Sequence, residues 1–375
     1  MKKVVLSAMA LAMGSFVMAQ NNTSTVTNGG VGSNGLIFTA TDANVEVDQK
    51  GLTNRSSVRM NGTNNDAKIV QRGTSNRNSA QSGGLNNNTD VDQKGTSNYT
   101  RSFVVGTGNK VFIDQIGNLN NSSRAGASPN ATTEIRGDEN TVRSTQNGTN
   151  NLDVTYISGD NNIAIIDQDG TDNQVWNTVT EANGGSENYS NTEQDGQDNK
   201  AYNNQSGTQN DIFVKQVGST NTSTVYQDFG NSLANVDQNG TNHNSTVTQG
   251  LGVNEKAYVI QKGDNQESTI TQFSGNNNYA KVDQRGMNHI SDIMQHGDND
   301  KAYVDQRGNG NLSNIDQDSA GSIARITQNG NGHESNVLQR VAAGNKAIVT
   351  QTGSGQMSTV ASYGATNAVI VNQAN

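Results

Sequence analysis

The side chains with the most chemistry to offer are primary amides, and they recur on a ruler. Glutamine returns every eleven residues at Gln194, Gln205, Gln216, Gln227, Gln238 and Gln249, and again at Gln295, Gln306, Gln317, Gln328 and Gln339. Related positions hold Gln49, Gln71, Gln93, Gln115, Gln168, Gln284, Gln351 and Gln373. Asparagine often stands five places on, at Asn199, Asn210, Asn221 and Asn311. An amide both donates and accepts, so identical amides stacked at strand spacing can hydrogen-bond along an open-ended column. That chemistry holds a structure together; it transforms no substrate.

The candidates for reactive chemistry are weaker. Three of the four histidines, His243, His289 and His333, occupy the asparagine-like turn position, and the fourth is His296. They are far apart in repeat order, so a convergent metal site is not expected. Asp167, Asp169 and Asp172 around Gly170 lack the length and closing glutamate of a calcium loop. Acidic pairs are easy to find, but without a pocket-forming core they carry no catalytic weight. No metal site, cofactor or enzymatic activity is expected.

The elements that must position the amides follow from parity. Ala302, Val304 and Gln306 share one parity, and Lys301, Tyr303 and Asp305 the other. Such alternation is a strand with one dry face. Gly308, Asn309, Gly310 and Asn311 then supply turn chemistry. The glycine two places after the glutamine recurs at Gly196, Gly207, Gly218, Gly240, Gly286, Gly297, Gly308 and Gly330. Two places before the glutamine stand Val236, Val247, Val259, Ile270, Val282, Ile293, Val304, Ile315, Ile326, Val337 and Val349, the expected core.

The true period is twice eleven. Four places before the ruler position, Ala234, Ala257, Ala280, Ala302, Ala324 and Ala347 alternate with Ser223, Ser245, Ser268, Ser291, Ser313, Ser335 and Ser358. Alternate strands therefore lie in different environments. The expected fold is all-β: a solenoid of strand–turn–strand coils of about 22 residues, with two facing parallel sheets in cross-β stacking. Residues 38–375 would form roughly fifteen coils. Met60, Val104, Ile135 and Ile157 stand where glutamine is expected. Spacing contracts near Arg124 and Pro129 and expands at Glu181–Ser186. Stepping back from Gln49 gives Phe38 and Thr27, and the glycine- and asparagine-rich segment 20–37 reads as a separate N-terminal piece.

Composition sets outer bounds. The chain has 375 residues, is 30% hydrophobic and carries a formal charge of −9. That balance argues against a nucleic-acid partner. Cysteine is absent, which excludes disulfides and thiolate metal sites. Lys2 and Lys3, the apolar Val4–Met18 and the small Val17 and Ala19 read as a secretory signal over residues 1–19. No other segment is apolar enough to span a bilayer. Asp48, Asp92, Asp114, Asp167, Asp237, Asp283, Asp305 and Asp316 precede their glutamines on the outward face, where stacked like charges would restrain premature aggregation.

The arrangement Gln-x-Gly-x-x-Asn-x-Ala-x-x-x-Gln, standing here as Gln194, Gly196, Asn199, Ala201 and Gln205, resembles the curlin repeat of curli fibre subunits. Gln295, Gly297, Asp300, Ala302 and Gln306 repeat it with aspartate in place of asparagine. The family's serine six places before the glutamine is mostly asparagine here. The resemblance implies a bacterial functional amyloid, a major subunit exported through Sec and then unfolded through an outer-membrane pore. It also implies nucleation by a minor subunit and an extracellular fibre in the biofilm matrix, supporting adhesion and aggregation of cells. Periodicity by itself implies assembly, since Tyr363–Asn375 stays in phase and leaves an open edge for another copy, head to tail. The alternative is a monomeric β-solenoid adhesin or ice-binding module, which would need a separate tip or a regular outward threonine array. A repeat-built enzyme ranks last.

Overall fold

The computed structural model describes residues 42–120, 133–180 and 185–375 in full, and residues 23–29 and 34–38 by their backbone. The expected secretory signal, Arg124 and Pro129 lie outside the described residues, but the register across the last two corrects the expected contraction: Gln115 pairs with Gln146 and Val104 with Ile135, a coil of 31 residues. Most of the expected expansion at Glu181–Ser186 also lies outside the described residues.

Among the described residues the chain forms thirty-one strands, from β1 (Thr23–Gly29) to β31 (Ala368–Ala374). Odd-numbered strands make one 16-stranded sheet and even-numbered strands a 15-stranded sheet, each running in simple sequence order. The all-β solenoid of two parallel sheets is therefore the observed fold.

Register follows from chemistry repeated at the coil period. β17 (Asp211–Ser219) lies parallel to β19 (Leu233–Thr241), with Ile212 on Ala234, Val214 on Val236, Gln216 on Gln238 and Gly218 on Gly240. Between them in sequence, β18 (Thr222–Gln227) joins the other sheet and pairs with β20 (Asn244–Gly250), placing Ser223 on Ser245, Val225 on Val247 and Gln227 on Gln249. β18 to β20 thus each point three side chains inward, a small residue, a β-branched residue and an amide, while β17 has Ile212 in the small residue's place. A one-residue slip would turn all three outward. The alanine and serine columns belong to opposite sheets, as their alternation implied.

The apolar core is a pair of facing columns. Val236, Val259, Val282, Val304, Ile326 and Val349 stack in one sheet, and Val247, Ile270, Ile293, Ile315 and Val337 in the other; all are buried. Burying one such side chain contributes about 1.5–3 kcal/mol. In the even sheet's earlier coils, Met60, Val104, Ile135, Ile157 and Val179 occupy the glutamine position and are buried.

Two expectations about register are corrected at the N-terminal end. Asn28, not Thr27, lies opposite Gln49. Phe38, on β2 (Asn34–Phe38), lies opposite Arg59 rather than Met60. The paired strands there are offset by 21 residues, one fewer than twice eleven, so counting back loses phase. Strand pairing also begins at Thr23, within the segment read as a separate N-terminal piece.

Candidate functional site

The functional geometry is an axial array, built from the glutamine. In the odd-numbered sheet the Nε2 of each glutamine donates to the Oε1 of the next. The column begins Gln49 to Gln71 (2.6 Å), Gln71 to Gln93 (2.7 Å) and Gln93 to Gln115 (2.9 Å). It crosses the long insertion by Gln115 to Gln146 (2.7 Å) and continues through Gln168 to Gln194. From there it passes through Gln216, Gln238, Gln261, Gln284, Gln306, Gln328 and Gln351 to Gln373 without a break. The even-numbered sheet carries a shorter ladder from Gln205 through Gln227, Gln249, Gln272, Gln295 and Gln317 to Gln339.

The second N–H explains why the residue is glutamine. Gln216 Nε2 also donates to Lys200 O at 2.9 Å, and Gln238 Nε2 to Thr222 O at 2.9 Å. Those carbonyls belong to the first residues of strands in the facing sheet. The amide therefore ties coil to coil and sheet to sheet. Asparagine is one methylene too short to do both, and leucine or glutamate lacks the donors. The small inward residue sits next to the accepting carbonyl, Ala201 beside Lys200 and Ser223 beside Thr222, which leaves room for the reach.

Asparagine takes the corner. Asn199 Oδ1 accepts from Asn221 N in the next coil at 3.1 Å, and its Nδ2 donates to Gly218 O at 3.0 Å. Asn221 donates back to Val217 O, four residues earlier, and forward to Gly240 O. Asn210 and Asn311 bond in the same two directions. Each buried asparagine closes its own turn and clamps the next. The accepting glycines need their type for a second reason besides positive φ: a Cβ on Gly196 would lie 2.0 Å from Gly218 O. Gly196, Gly207, Gly218, Gly240, Gly286, Gly308 and Gly330 all have positive φ; Gly297 is not among the positive-φ residues.

Not every corner keeps asparagine. One corner column runs Asn221, His243, Gln266, His289, Asn311, His333 and Gln356; the other runs Asn210, Ser232, Glu255, Asn278, Asp300, Ser322 and Asn345. His289 Nδ1 accepts from Asn311 N at 3.3 Å and its Nε2 donates to Arg285 O at 3.1 Å, so the neutral ring copies the asparagine amide. Burial pushes the His243 and His289 imidazoles below their usual range. The three column histidines do not converge. The separate His296 lies 2.9 Å from Asp318, but Arg340 already pairs with Asp318 and with Asp316, offsetting one of the two negative charges.

Buried acids were the main feature hidden from sequence reading. Asp153, Glu255 and Asp300 are each fully buried. Gln146 also escaped the ruler, because the coil lengthens to 31 residues before it; Gln261 and Gln272, implied by Val259 and Ile270 two places earlier, follow coils of 23 residues.

The outward faces carry charge and aromatic columns. Asp92 stacks directly on Asp114, and Asp283 on Asp305. Lys50, Arg285 and Arg307 each pair with the aspartate two residues earlier. Asp316 stands apart, on the other sheet between Met294 and Leu338. Trp176 stacks flat on Tyr202 with ring centres 4.7 Å apart, and Tyr258, Tyr279 and Tyr303 form a zigzag covered by Arg325. Partial burial, and then repulsion from Asp92 and Asp90, raises the Asp114 carboxyl above its ordinary range. Asp114→Asn is expected to stabilise the fold by a few tenths of a kcal/mol at neutral pH. The gain should fade near pH 3, where the carboxyls are protonated; denaturant midpoints at the two pH values check this.

This geometry defines a β-solenoid repeat protein whose repeating unit is an amide-bonded strand pair. Residues 84–117, 257–286, 292–318 and 323–353 match the curlin associated repeat, so the chain carries four stretches of that repeat type. No curated protein matches the chain.

Proposed function

We propose that the chain is a non-enzymatic structural subunit that is secreted and polymerises head to tail into an extracellular, curli-like amyloid fibre. Such a fibre would serve a biofilm matrix, with a minor nucleating subunit and an outer-membrane secretion pore as further partners. The observation that carries this reading is the polarity of the ladders. Glutamine Nε2 donates toward the next coil throughout, from Gln49 to Gln373. Corner carbonyls such as Asn199 Oδ1 accept from the next coil's N–H. The two ends of the stack are therefore chemically different and mutually complementary. A second copy added head to tail continues every column; one added head to head sets donor against donor.

Among the described residues β31 and β30 (Met357–Ser362) each pair with one strand, and a second copy on their other side would add backbone bonds to the same contact. The outward column through Tyr258, Lys281, Tyr303, Arg325 and Ile348 is irregular, which disfavours an ice-binding face. Purified chain incubated at neutral pH should form fibres with a reflection near about 4.8 Å, and sonicated fibres should shorten the lag. A folded β-rich monomer that neither elongates seeds nor is consumed by them would overturn the proposal and favour a monomeric adhesin.

A further inference from the structure

Corner residues in this solenoid have a fixed donor and acceptor role, and two of them break it in the same column. At Asn278 the side-chain Oδ1 accepts from Asp300 N at 2.9 Å. Asp300 repeats the acceptor half with its own Oδ1, 2.8 Å from Ser322 N. Its Oδ2 stands where asparagine carries Nδ2, fully buried against the Gly297 backbone and without a partner in good hydrogen-bond geometry. Glu255, one coil before Asn278, is also fully buried; neither carboxyl oxygen has a partner in good hydrogen-bond geometry, and the Asn278 side chain that faces it offsets only part of the effect of burial. It is wedged against Gly252, where a Cβ would lie 2.6 Å from Glu255 Oε1 and 1.8 Å from Gly275 O. An ionised carboxylate has no donor to give these corners, and a buried unpaired charge is costly.

We propose that Glu255 and Asp300 carry protons in the closed coils and form a pH-sensitive latch, so that losing those protons loosens the stack between residues 250 and 322. The surroundings agree. Burial pushes the Glu255 carboxyl up to about 8 and the Asp300 carboxyl up to about 7. Asn278 faces Glu255 from the next coil and Ser232 from the previous one, and the adjacent Lys256 side chain is exposed. Asp298 and Asp318 face Asp300 and raise it further, while His296 and Arg340 engage Asp318 and Lys301 is exposed.

Both acids are raised relative to the unfolded chain, so the unfolded state ionises first. Their contribution is complete below the ordinary carboxylate range and is lost as pH rises to their folded values. The buried His243 and His289 act oppositely, losing stability as pH falls below about 6.5. Asp153, raised to about 6 by burial, has largely finished titrating by that point. The window from pH 6.5 to 9 therefore isolates the latch.

The test is the denaturant midpoint of the far-ultraviolet β signal of the full chain, compared with the E255Q/D300N variant. It reads folding of the coils and does not depend on polymerisation. With folded values of about 8 and about 7, the wild-type folding constant should fall on the order of a hundredfold from pH 6.5 to 9, and the variant should change little. Glutamine is already accommodated at the opposite corner by Gln266, and asparagine restores the residue found at Asn278 and Asn345. D300N alone gives a second reading: its stability advantage over wild type should grow about a hundredfold between pH 5 and 8, a difference from which the histidines cancel. Parallel pH profiles for wild type and both variants would overturn the latch.

Discussion

Gly196→Ala should break the stack at its own coil. The residue has φ of +126°, and an added Cβ would lie 2.0 Å from Gly218 O and 2.9 Å from Gly218 C. The backbone strain alone costs about 1–3 kcal/mol. The contact is with main chain, in a register locked by nine paired residues on each strand, so no side chain can swing aside. The coils must separate, which would also break Asn199 Nδ2 from Gly218 O. We expect a loss of about 3 kcal/mol or more, with amide exchange rising first around residues 189–219. Because each coil touches only its neighbours, damage should stay local at low denaturant. Gly83→Ala is the control: nothing lies within 4 Å of its Cβ position. There the change should be near zero or slightly stabilising. Equal effects at the two sites would refute the close-approach explanation.

The second large effect is expected at Gln216. Its amide accepts from Gln194 at 2.7 Å and donates to Gln238 at 2.8 Å and to Lys200 O at 2.9 Å, fully buried. Gln216→Glu removes both donors and places a carboxylate against two oxygens. At pH 7 that should cost about 3–5 kcal/mol. Gln216→Leu keeps much of the volume but strands Lys200 O and the neighbouring amides, at about 1–3 kcal/mol for each unsatisfied group. The two variants part on acidification. Once protonated, the introduced carboxyl regains one donor, so its deficit should shrink toward pH 4, while the leucine variant gains nothing by that route. Chemical denaturation at pH 4 and pH 7 reads the difference. If both variants shift in parallel, the ladder is not held by donors at that site.

Much of this was legible in the sequence because one physical rule repeats. Parity assigns Val304 and Gln306 inward without coordinates, since strand side chains alternate. The alternation of Ala302 with Ser313 marks two sheets, because only neighbours in one column share an environment. Residues such as Asp300 and Glu255 were less legible. A carboxyl in a corner reads as ordinary turn chemistry until burial is known, and burial depends on the coils above and below. Gln146 slipped past an eleven-residue ruler because the connection before it lengthens its coil to 31 residues without changing the strand it feeds.

The amino-acid order by itself determined the coil, the identity of its inward columns and the exclusion of cysteine chemistry. These rest on local periodicity, which a chain carries whether or not it is folded. Only the tertiary structure decided where each glutamine spends its second N–H, that the corner glycines meet the next backbone near 2 Å, and that two acids are sealed inside the turns. Those facts arise between coils, where distance along the chain no longer measures distance in space.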